Sequence, residues 1–185
     1  MKTPILVIVS ALAGAFASLS AQAELPVEFR LSGQPVYTQI KSSGESFSPT
    51  LFHFKAGVEV KDGLLGGIGL QAVAGVPMSD DSKGDLTVSI KDQSAVYLTL
   101  SNPDSDPEGL KFTLFLGYST SELETQLDTF GGITVNTIEG ASYGFSIQDK
   151  MLANKPLYWS LDCTRFYRDD NLRFDGCGLG ATYAF

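Results

Sequence analysis

Apolar and polar side chains alternate along several stretches of this sequence with a period of two residues. The clearest stretch is 110–118, where every second residue is apolar: Leu110, Phe112, Leu114, Leu116 and Tyr118. The same alternation runs through 51–61 and 141–148, and in 51–61 the opposite side carries charged residues. Because successive side chains of a β-strand point to opposite faces, this period predicts strands with one apolar and one polar face.

The alternation predicts eight strands in total. Further segments lie near residues 27–38, 64–75, 87–100, 157–167 and 173–185, separated by turn-rich stretches such as KDG, PMSDDSKGD and NPDSDPEG. Segments spaced by about 20 residues fit strands of roughly nine to eleven residues that cross a bilayer at a tilt. The sequence therefore predicts an all-β fold, a closed antiparallel up-and-down transmembrane β-barrel.

The segment 87–100 breaks the pattern at one position, because Asp92 falls on the apolar side of the alternation. Two explanations fit a single polar residue on the apolar side. A β-bulge near Asp92 shifts the register, or the strand runs well beyond the membrane.

Glycine residues indicate which face of the predicted barrel points outward. In the last strand Gly176, Gly178 and Gly180 lie opposite the apolar residues. Inside a narrow lumen such small residues leave room for charged side chains, here Asp162, Lys111 and Glu59. A lipocalin-like binder would instead place its apolar side around an internal cavity, and the usual G-x-W opening of a lipocalin is missing from the first strand.

Aromatic residues on the apolar side fall near the two predicted rims. Threading the strands from a periplasmic N-terminus gives Trp159, Tyr183 and Phe185 at the periplasmic rim, and Tyr37, Tyr118 and Tyr143 at the outer rim. Two aromatic girdles are typical of a barrel surrounded by lipid. The alternative is a soluble β-sandwich whose core contains these rings.

The N-terminal residues have the pattern of a secretory signal peptide. A basic start at Lys2 precedes an apolar run over residues 5–16, and the alanines of SAQAE are spaced as in an A-x-A cleavage site. We expect cleavage after residue 23. This divides the chain into a signal peptide, 1–23, and an outer-membrane barrel domain, 24–185.

The charge of the chain argues against other classes of protein. The formal net charge is −8 at pH 7, and no cluster of Lys and Arg in the sequence supplies a basic face for nucleic acid. No run after residue 23 approaches the eighteen apolar residues expected of a membrane-spanning helix. The acidic stretches 79–85 and 102–109 lack the full spacing of an EF-hand loop, so we predict no bound metal and no cofactor.

Four stretches resemble a known family: LGYSTSE at 116–122, SYGFSI at 142–147, CTRFYRDD at 163–170 and the closing GLGATYAF. They look like the last four strands of the outer-membrane β-barrel domain family, the small OmpA- and OmpX-like "porin family" barrels. The resemblance implies an outer-membrane location, with outer-membrane lipid and lipopolysaccharide as partners. It also implies that Tyr183 and Phe185 form the C-terminal strand signal read by the barrel assembly machinery.

The two cysteines lie in the last two predicted strands. A turn centred on Asp170 places Cys163 opposite Cys177 and Arg165 opposite Asp175. Opposed residues of an antiparallel pair are close enough for a disulfide, and an exported protein meets an oxidising compartment. We therefore predict a disulfide. The alternative, in a register shifted by one residue, is a pair of free thiols.

The polar side of the predicted strands contains charged residues of both signs. The interior set comprises Glu28, Arg30, His53, Lys55, Glu59, Lys91, Lys111 and Asp162. We expect these side chains to fill the lumen as a polar plug, because eight strands enclose only enough space for side chains. The alternative is a small channel lined by the same charges, although diffusion pores normally have about twice as many strands.

His53 is the only histidine and therefore the only candidate imidazole base. A lipid A-modifying barrel enzyme needs a histidine that faces lipid beside a serine and a carboxylate, whereas His53 falls on the lumen side beside Lys55. We therefore predict that the chain is not an enzyme. Its expected role is structural or surface-interactive, with mobile outer loops. The segment 120–140 is expected to be an extracellular loop that offers the best surface for an unidentified partner.

Overall fold

The computed structural model describes residues 27–42, 44–62, 66–102, 109–127, 131–152 and 155–185. The predicted signal peptide, residues 1–23, lies outside the described residues. Within the described ranges, no helix has the length and apolar character needed to cross a membrane.

Ten β-strands account for most of the described residues. Their bounds are β1 Val27–Ser42, β2 Glu45–Phe47, β3 Thr50–Asp62, β4 Gly66–Ser79, β5 Asp81–Lys83, β6 Leu86–Ser101, β7 Lys111–Leu127, β8 Gly132–Lys150, β9 Leu157–Arg168 and β10 Leu172–Ala184. All except the short β2 and β5 form a closed eight-stranded antiparallel barrel, in which β10 pairs with β1. The predicted fold is confirmed, and each predicted segment falls on one barrel strand.

The strand directions define two ends of the barrel. One end, called the terminal end, carries the start of β1, the end of β10 and the connections β3–β4, β6–β7 and β8–β9. The opposite end, called the hairpin end, carries β2, β5 and the connections β7–β8 and β9–β10. Gly44 and Gly84 make tight turns there with φ of 90° and 59°, in the left-handed region that glycine adopts without strain.

The predicted outer loop over residues 120–140 is instead a β-hairpin, so this prediction is wrong. β7 continues to Leu127, β8 begins at Gly132, and the two strands stay paired along this length. β6 follows β7 as far as Leu86, whereas β8 pairs with β9 only over 143–150. Beyond Tyr143, where β9 ends its pairing with β8, the strands β6, β7 and β8 therefore continue as a sheet. This sheet, formed by the hairpin-end parts of β6 from Leu86, β7 to Leu127 and β8 from Gly132, is called the extension. The segment is polar, but its Thr, Val and Ile residues are typical of strands.

A β-bulge interrupts β6 between Ile90 and Asp92. This confirms the first of the two explanations for Asp92, a bulge that shifts the register. The bulge exchanges the two faces of the strand, so that Val88 and Ile90 are buried inside the barrel. Lys91 leaves the lumen for the same reason, and its Nζ lies 2.8 Å from Glu124 Oε1 on the outer surface. The prediction that Lys91 belongs to the interior set is wrong.

The outward side of the barrel is covered with exposed apolar residues, here called the apolar belt. On β7, Leu114 and Leu116 are 64% and 62% exposed, while the intervening Phe115 is buried. On β4 the exposed apolar residues run from Ile68 to Met78. Ten residue steps of about 3.3 Å at a tilt of about 40° give the belt a height of roughly 25 Å.

Aromatic side chains border the apolar belt at both ends. The terminal-end group is Trp159, Tyr183 and Phe185, and the hairpin-end group is Tyr37, Tyr118 and Tyr143. All are exposed except the half-buried Trp159. Both predicted girdles are therefore on the outward face.

The interior near the hairpin end is apolar, which corrects the expectation of a polar plug throughout. One buried cluster, called the apolar plug, comprises Val36, Ile40, Phe47, Leu51, Val88, Ile90, Leu123, Phe166 and Phe174. The bulge in β6 turns Val88 and Ile90 inward, and Phe166 and Phe174 lie at regular inward positions of β9 and β10. β2 adds Phe47, which pairs with Ile40 of β1. Polar side chains dominate only the terminal half of the lumen.

Candidate functional site

Charged side chains meet inside the terminal half of the barrel. Lys55 on β3 bonds to Asp162 on β9, and Lys111 Nζ lies 2.5 Å from Glu59 Oε1. All four side chains are buried. A charge in such a low-dielectric environment requires a partner of opposite sign, and each of these four has one.

A second group of charges continues this network toward the terminal end. Arg30 bonds to Glu28, its Nε lies 3.8 Å from Glu59 Oε2, and its Nη1 donates to Gln148 Oε1 at 2.7 Å. Lys61 Nζ lies 2.9 Å from Glu28 Oε2. Lys61 is missing from the predicted interior set, although it lies on the same side of β3 as Glu59. We call these interior ions the charged network.

His53 lies between the charged network and the apolar plug. It is buried, its Nε2 lies 2.5 Å from Gln93 Oε1, and its ring centroid is 5.7 Å from that of Phe166 in an edge-on contact. Among the described residues Gln93 is its only side-chain hydrogen-bond partner. Gln93 lies on the lumen side of β6 but was not predicted, because it carries no charge. No group of three or more potential metal ligands occurs in the described part of the chain.

Glycines of β10 make room for large neighbours. A Cβ atom at Gly176 would lie 2.8 Å from Cε2 of Phe166, and one at Gly178 would lie 2.9 Å from Nε2 of Gln34. A Cβ atom at Gly180 would also meet Gln34. The expectation that these three glycines accommodate charged side chains is wrong, because an aromatic ring and an amide occupy the space.

Side chains occupy the lumen between the two ends. The rings of Tyr97 and Phe115 lie 5.1 Å apart, and the Tyr97 hydroxyl lies 2.8 Å from Ser142 Oγ. In the described ranges, three buried side-chain atoms lack a hydrogen-bond partner: Gln34 Oε1, Gln93 Nε2 and Ser160 Oγ. The lumen thus contains the charged network, a mixed polar and aromatic layer, and the apolar plug in succession.

From Arg165 and Asp175 onward, β9 and β10 pair in the register that a turn at Asp170 predicts, whereas beside the turn the pairing is shifted by one residue. Cys163 lies opposite Cys177 with Cα atoms 4.2 Å apart, and the two residues form a disulfide. Arg165 lies opposite Asp175, and its Nε is 2.7 Å from Asp175 Oδ1. The disulfide lies on the outward face, at the hairpin side of the apolar belt.

The last strand ends where the barrel closes. The backbone N–H of Phe185 donates to the carbonyl oxygen of Phe29 at 2.8 Å. The rings of Tyr183 and Phe185 lie 4.9 Å apart on the outward face. The role of these two residues as a signal for the barrel assembly machinery stays a prediction.

Comparison with known proteins adds information about the fold. No family model and no curated protein matches the sequence. Ail, the attachment invasion locus protein of Yersinia pestis, solved in complex with the heparin analogue sucrose octasulfate, is 15% identical, with a TM-score of 0.63 over 86% of this chain and 99% of that chain. Neisserial surface protein A is 13% identical, with a TM-score of 0.52 over 85% and 97% of the two chains.

A third similar structure is the N-terminal β-barrel domain of OprF from Pseudomonas aeruginosa. It is 11% identical, with a TM-score of 0.50 over 83% of this chain and 97% of that chain. At such identities the likeness concerns the fold, and the function has to be argued from this chain's own residues.

Proposed function

We propose that this chain, which has the eight-stranded fold of the small outer-membrane barrels, is an integral protein of the Gram-negative outer membrane with a structural or surface-interaction role. It crosses the membrane with a plugged lumen and holds the extension outside the cell. One observation carries the proposal: apolar side chains cover the outside of the barrel while charged side chains are buried inside it.

The apolar belt supports placement in a lipid bilayer. Water-soluble proteins rarely expose a contiguous apolar surface of this size. The belt's height of roughly 25 Å is that of the apolar band of outer-membrane barrels, and aromatic residues at both edges suit the membrane–water interfaces. The soluble alternative, a lipocalin-like binder, requires the opposite arrangement, with apolar residues around an internal cavity.

The connections between strands support one orientation. Outer-membrane barrels have short periplasmic turns and longer structures on the outside. At the terminal end three residues separate β3 from β4, nine separate β6 from β7 and six separate β8 from β9, whereas the hairpin end carries the additional strands β2 and β5 and the extension. We therefore assign the terminal end to the periplasm, in agreement with the predicted export signal.

The contents of the lumen support a barrel that does not conduct ions. Buried ion pairs span the terminal half, and Phe166 and Phe174 are packed against each other in the apolar plug with no more than 2% exposure. A hydrated ion would have to break both sets of contacts, which argues against the small-channel alternative. A lipid A-modifying activity is not favoured either, because His53 bonds to Gln93 inside the barrel instead of facing lipid.

The extension supports interaction with a partner outside the membrane. Ile133 and Val135 are 60% and 54% exposed on its outward face, and Val135 lies opposite Glu124 of β7. In the described pairing, β8 has no neighbour on its β9 side beyond Tyr143. Exposed apolar residues beside an unpaired strand edge are typical of surfaces that another chain can cover.

Lysine labelling on intact cells tests the placement and orientation. A membrane-impermeant amine reagent is expected to modify the exposed Lys83 and Lys91 at the hairpin end. Lys155, which is also exposed but lies at the terminal end, is the matched control, and it is expected to react only after lysis. Modification of Lys155 on intact cells would contradict the orientation.

Gel mobility of the outer-membrane fraction tests the barrel itself. A closed barrel unfolds slowly in detergent, so the unheated protein is expected to migrate differently from the boiled protein. Recovery of the chain in the periplasm, with no effect of heating, would contradict a membrane barrel and would revive the soluble alternative.

A further inference from the structure

We propose that the outward surface of β1, β9 and β10 at the hairpin end binds a phosphorylated, acylated lipid of the surrounding outer leaflet. The lipid's phosphates lie on a row of cations, and an acyl chain lies in an apolar groove below them. This inference rests on the proposed function, because it requires the barrel to stand in the membrane with its hairpin end outside.

Three cations lie side by side on neighbouring strands and are called the cation row. Lys41 on β1 pairs with Arg173 on β10, and Arg173 pairs with Arg168 on β9. All three are exposed on the outward side. Like charges placed directly opposite each other in a sheet are destabilising, so an anion that lies over the row would relieve the repulsion. The sequence showed no basic face because these residues come from three separate segments.

Among the described residues, Asp175 is the only carboxylate that forms an ion pair with the cation row, and it does not neutralise the row. Asp175 is shared between two guanidinium groups: its Oδ1 lies 2.7 Å from Nε of Arg165, and its Oδ2 bonds to Arg173. Among the described residues, Lys41 and Arg168 form no ion pair. Two of the three cations are therefore available to an external anion.

An apolar groove lies on the same wall below the cation row. It has a volume of about 420 Å³, and its lining includes Pro35, Tyr37, Leu161, Cys177 and Leu179. On β1, Tyr37 precedes Lys41 by four residues. At about 3.3 Å per residue and the tilt of a barrel strand, the groove begins roughly 10 Å below the row, a distance that spans the headgroup region of one leaflet, about 5–8 Å thick.

The position of the cation row favours a lipid over a soluble anion. The row faces sideways from the barrel wall, on the same side of the strands as the apolar belt, and it lies just beyond Tyr37 of the aromatic border. In the proposed placement this is the depth of the outer-leaflet phosphates. A soluble anion would use the cations but would leave the groove empty. The disulfide between Cys163 and Cys177 ties β9 to β10 beside the groove, and the register shift between Phe174 and Asp175 then brings Arg168 opposite Arg173.

Binding of lipid A to the purified, detergent-solubilised barrel tests the site, with native mass spectrometry as the readout. The variant K41Q/R173Q removes two cations of the row, and the control K91Q/K155Q removes the same charge from exposed positions elsewhere. Each cation near an anionic lipid surface contributes about fivefold in affinity, so K41Q/R173Q is expected to bind lipid A about 25-fold more weakly than wild type. The control is expected to bind like wild type. Equal affinities of the two variants would overturn the proposal.

Competing probes distinguish a lipid site from a general anion site. Monophosphoryl lipid A is expected to bind more weakly than the bisphosphorylated form. Lipid A stripped of its acyl chains, and inorganic phosphate, are expected to displace the bound lipid only at large excess. If either of these two probes competes as well as intact lipid A, the site is an anion site and the lipid assignment is wrong.

Heat-dependent gel mobility separates failure of this inference from failure of the proposed function. A wild-type chain without a mobility shift contradicts the membrane barrel itself. A wild-type chain with the shift, but with lipid A affinity insensitive to the cation row, contradicts only the lipid site. Should K41Q/R173Q fail to fold, R168Q alters one exposed side chain and carries the same test with an expected fivefold loss. Unchanged affinity in R168Q would then overturn the proposal.

Discussion

Replacing Lys55 by methionine tests whether the charged network depends on each buried ion having a partner. The substitution keeps the length of the side chain and removes the cation that pairs with Asp162. The two side chains are only 8% and 5% exposed, so Asp162 would be left in a low-dielectric interior without its cation. Removing one partner of a buried ion pair typically costs about 3–5 kcal/mol. We expect a loss of about 3 kcal/mol, at the lower end of this range, because Lys111 and Arg30 leave other cations in the same lumen.

The double variant K55M/D162L separates the cost of an unpaired charge from the value of the pair itself. Replacement of a buried ion pair by apolar residues of similar volume is often neutral or stabilising. The double variant is therefore expected to recover most of the stability lost in Lys55→Met and to lie within about 1 kcal/mol of wild type.

Equilibrium unfolding in urea, with the barrel refolded into thin lipid vesicles, measures these differences. Trp159 is the only tryptophan and lies on the outward face, so its fluorescence reports the loss of the apolar surroundings. With equal slopes, the shift in midpoint gives the change in the free energy of unfolding. A Lys55→Met chain as stable as wild type would refute the reasoning. So would a double variant no more stable than Lys55→Met.

Two further predictions concern the β9–β10 hairpin. Replacing Cys163 and Cys177 by serine is expected to lower the free energy of unfolding by up to about 3 kcal/mol, because the disulfide closes a loop with a sequence separation of 14; equal urea midpoints for wild type and variant would contradict this. The backbone N–H groups of Leu172 and Asn171 hold the pKa of Asp169 below its ordinary value of 3.8. The turn therefore keeps this stabilisation at neutral pH and loses it as the pH falls through the lowered pKa. The NMR shifts of both amides should titrate with a midpoint below 3.8, and a midpoint above that value would count against the two hydrogen bonds.

The architecture could be predicted from the sequence because a barrel strand gives each residue one of only two environments. In the first half of β7 every second residue, Leu114 and Leu116 among them, is apolar. The other side mixes Lys111 and Thr113 with Phe115, and this contrast identifies the strand and its outward side.

The pairing of Cys163 with Cys177 is predicted correctly from a turn at Asp170. The residues beside that turn pair one position differently. The irregularity between Phe174 and Asp175 that restores the predicted register has no signal in the sequence.

Features that depend on irregular strands or on barrel closure could not be predicted. The bulge beside Lys91 adds one residue and reverses every side chain beyond it, and no local signal says on which side of Asp92 the reversal begins. The opposition of Lys41 and Arg173 follows from the pairing of the first strand with the last. No turn joins these two strands, so nothing nearby in the sequence sets their register.

The height of the apolar belt also specifies the kind of membrane in which the barrel is most stable. At roughly 25 Å the belt is shorter than the hydrocarbon core of an average bilayer, about 30 Å. Hydrophobic mismatch costs fractions of a kcal/mol for each Å, so lipids around the barrel would have to thin in a thicker membrane. The bacterial outer membrane is thinner than average, and there the mismatch is smallest. The spacing between the two aromatic borders thus acts as a gauge of bilayer thickness that favours retention in one of the two membranes of the cell envelope.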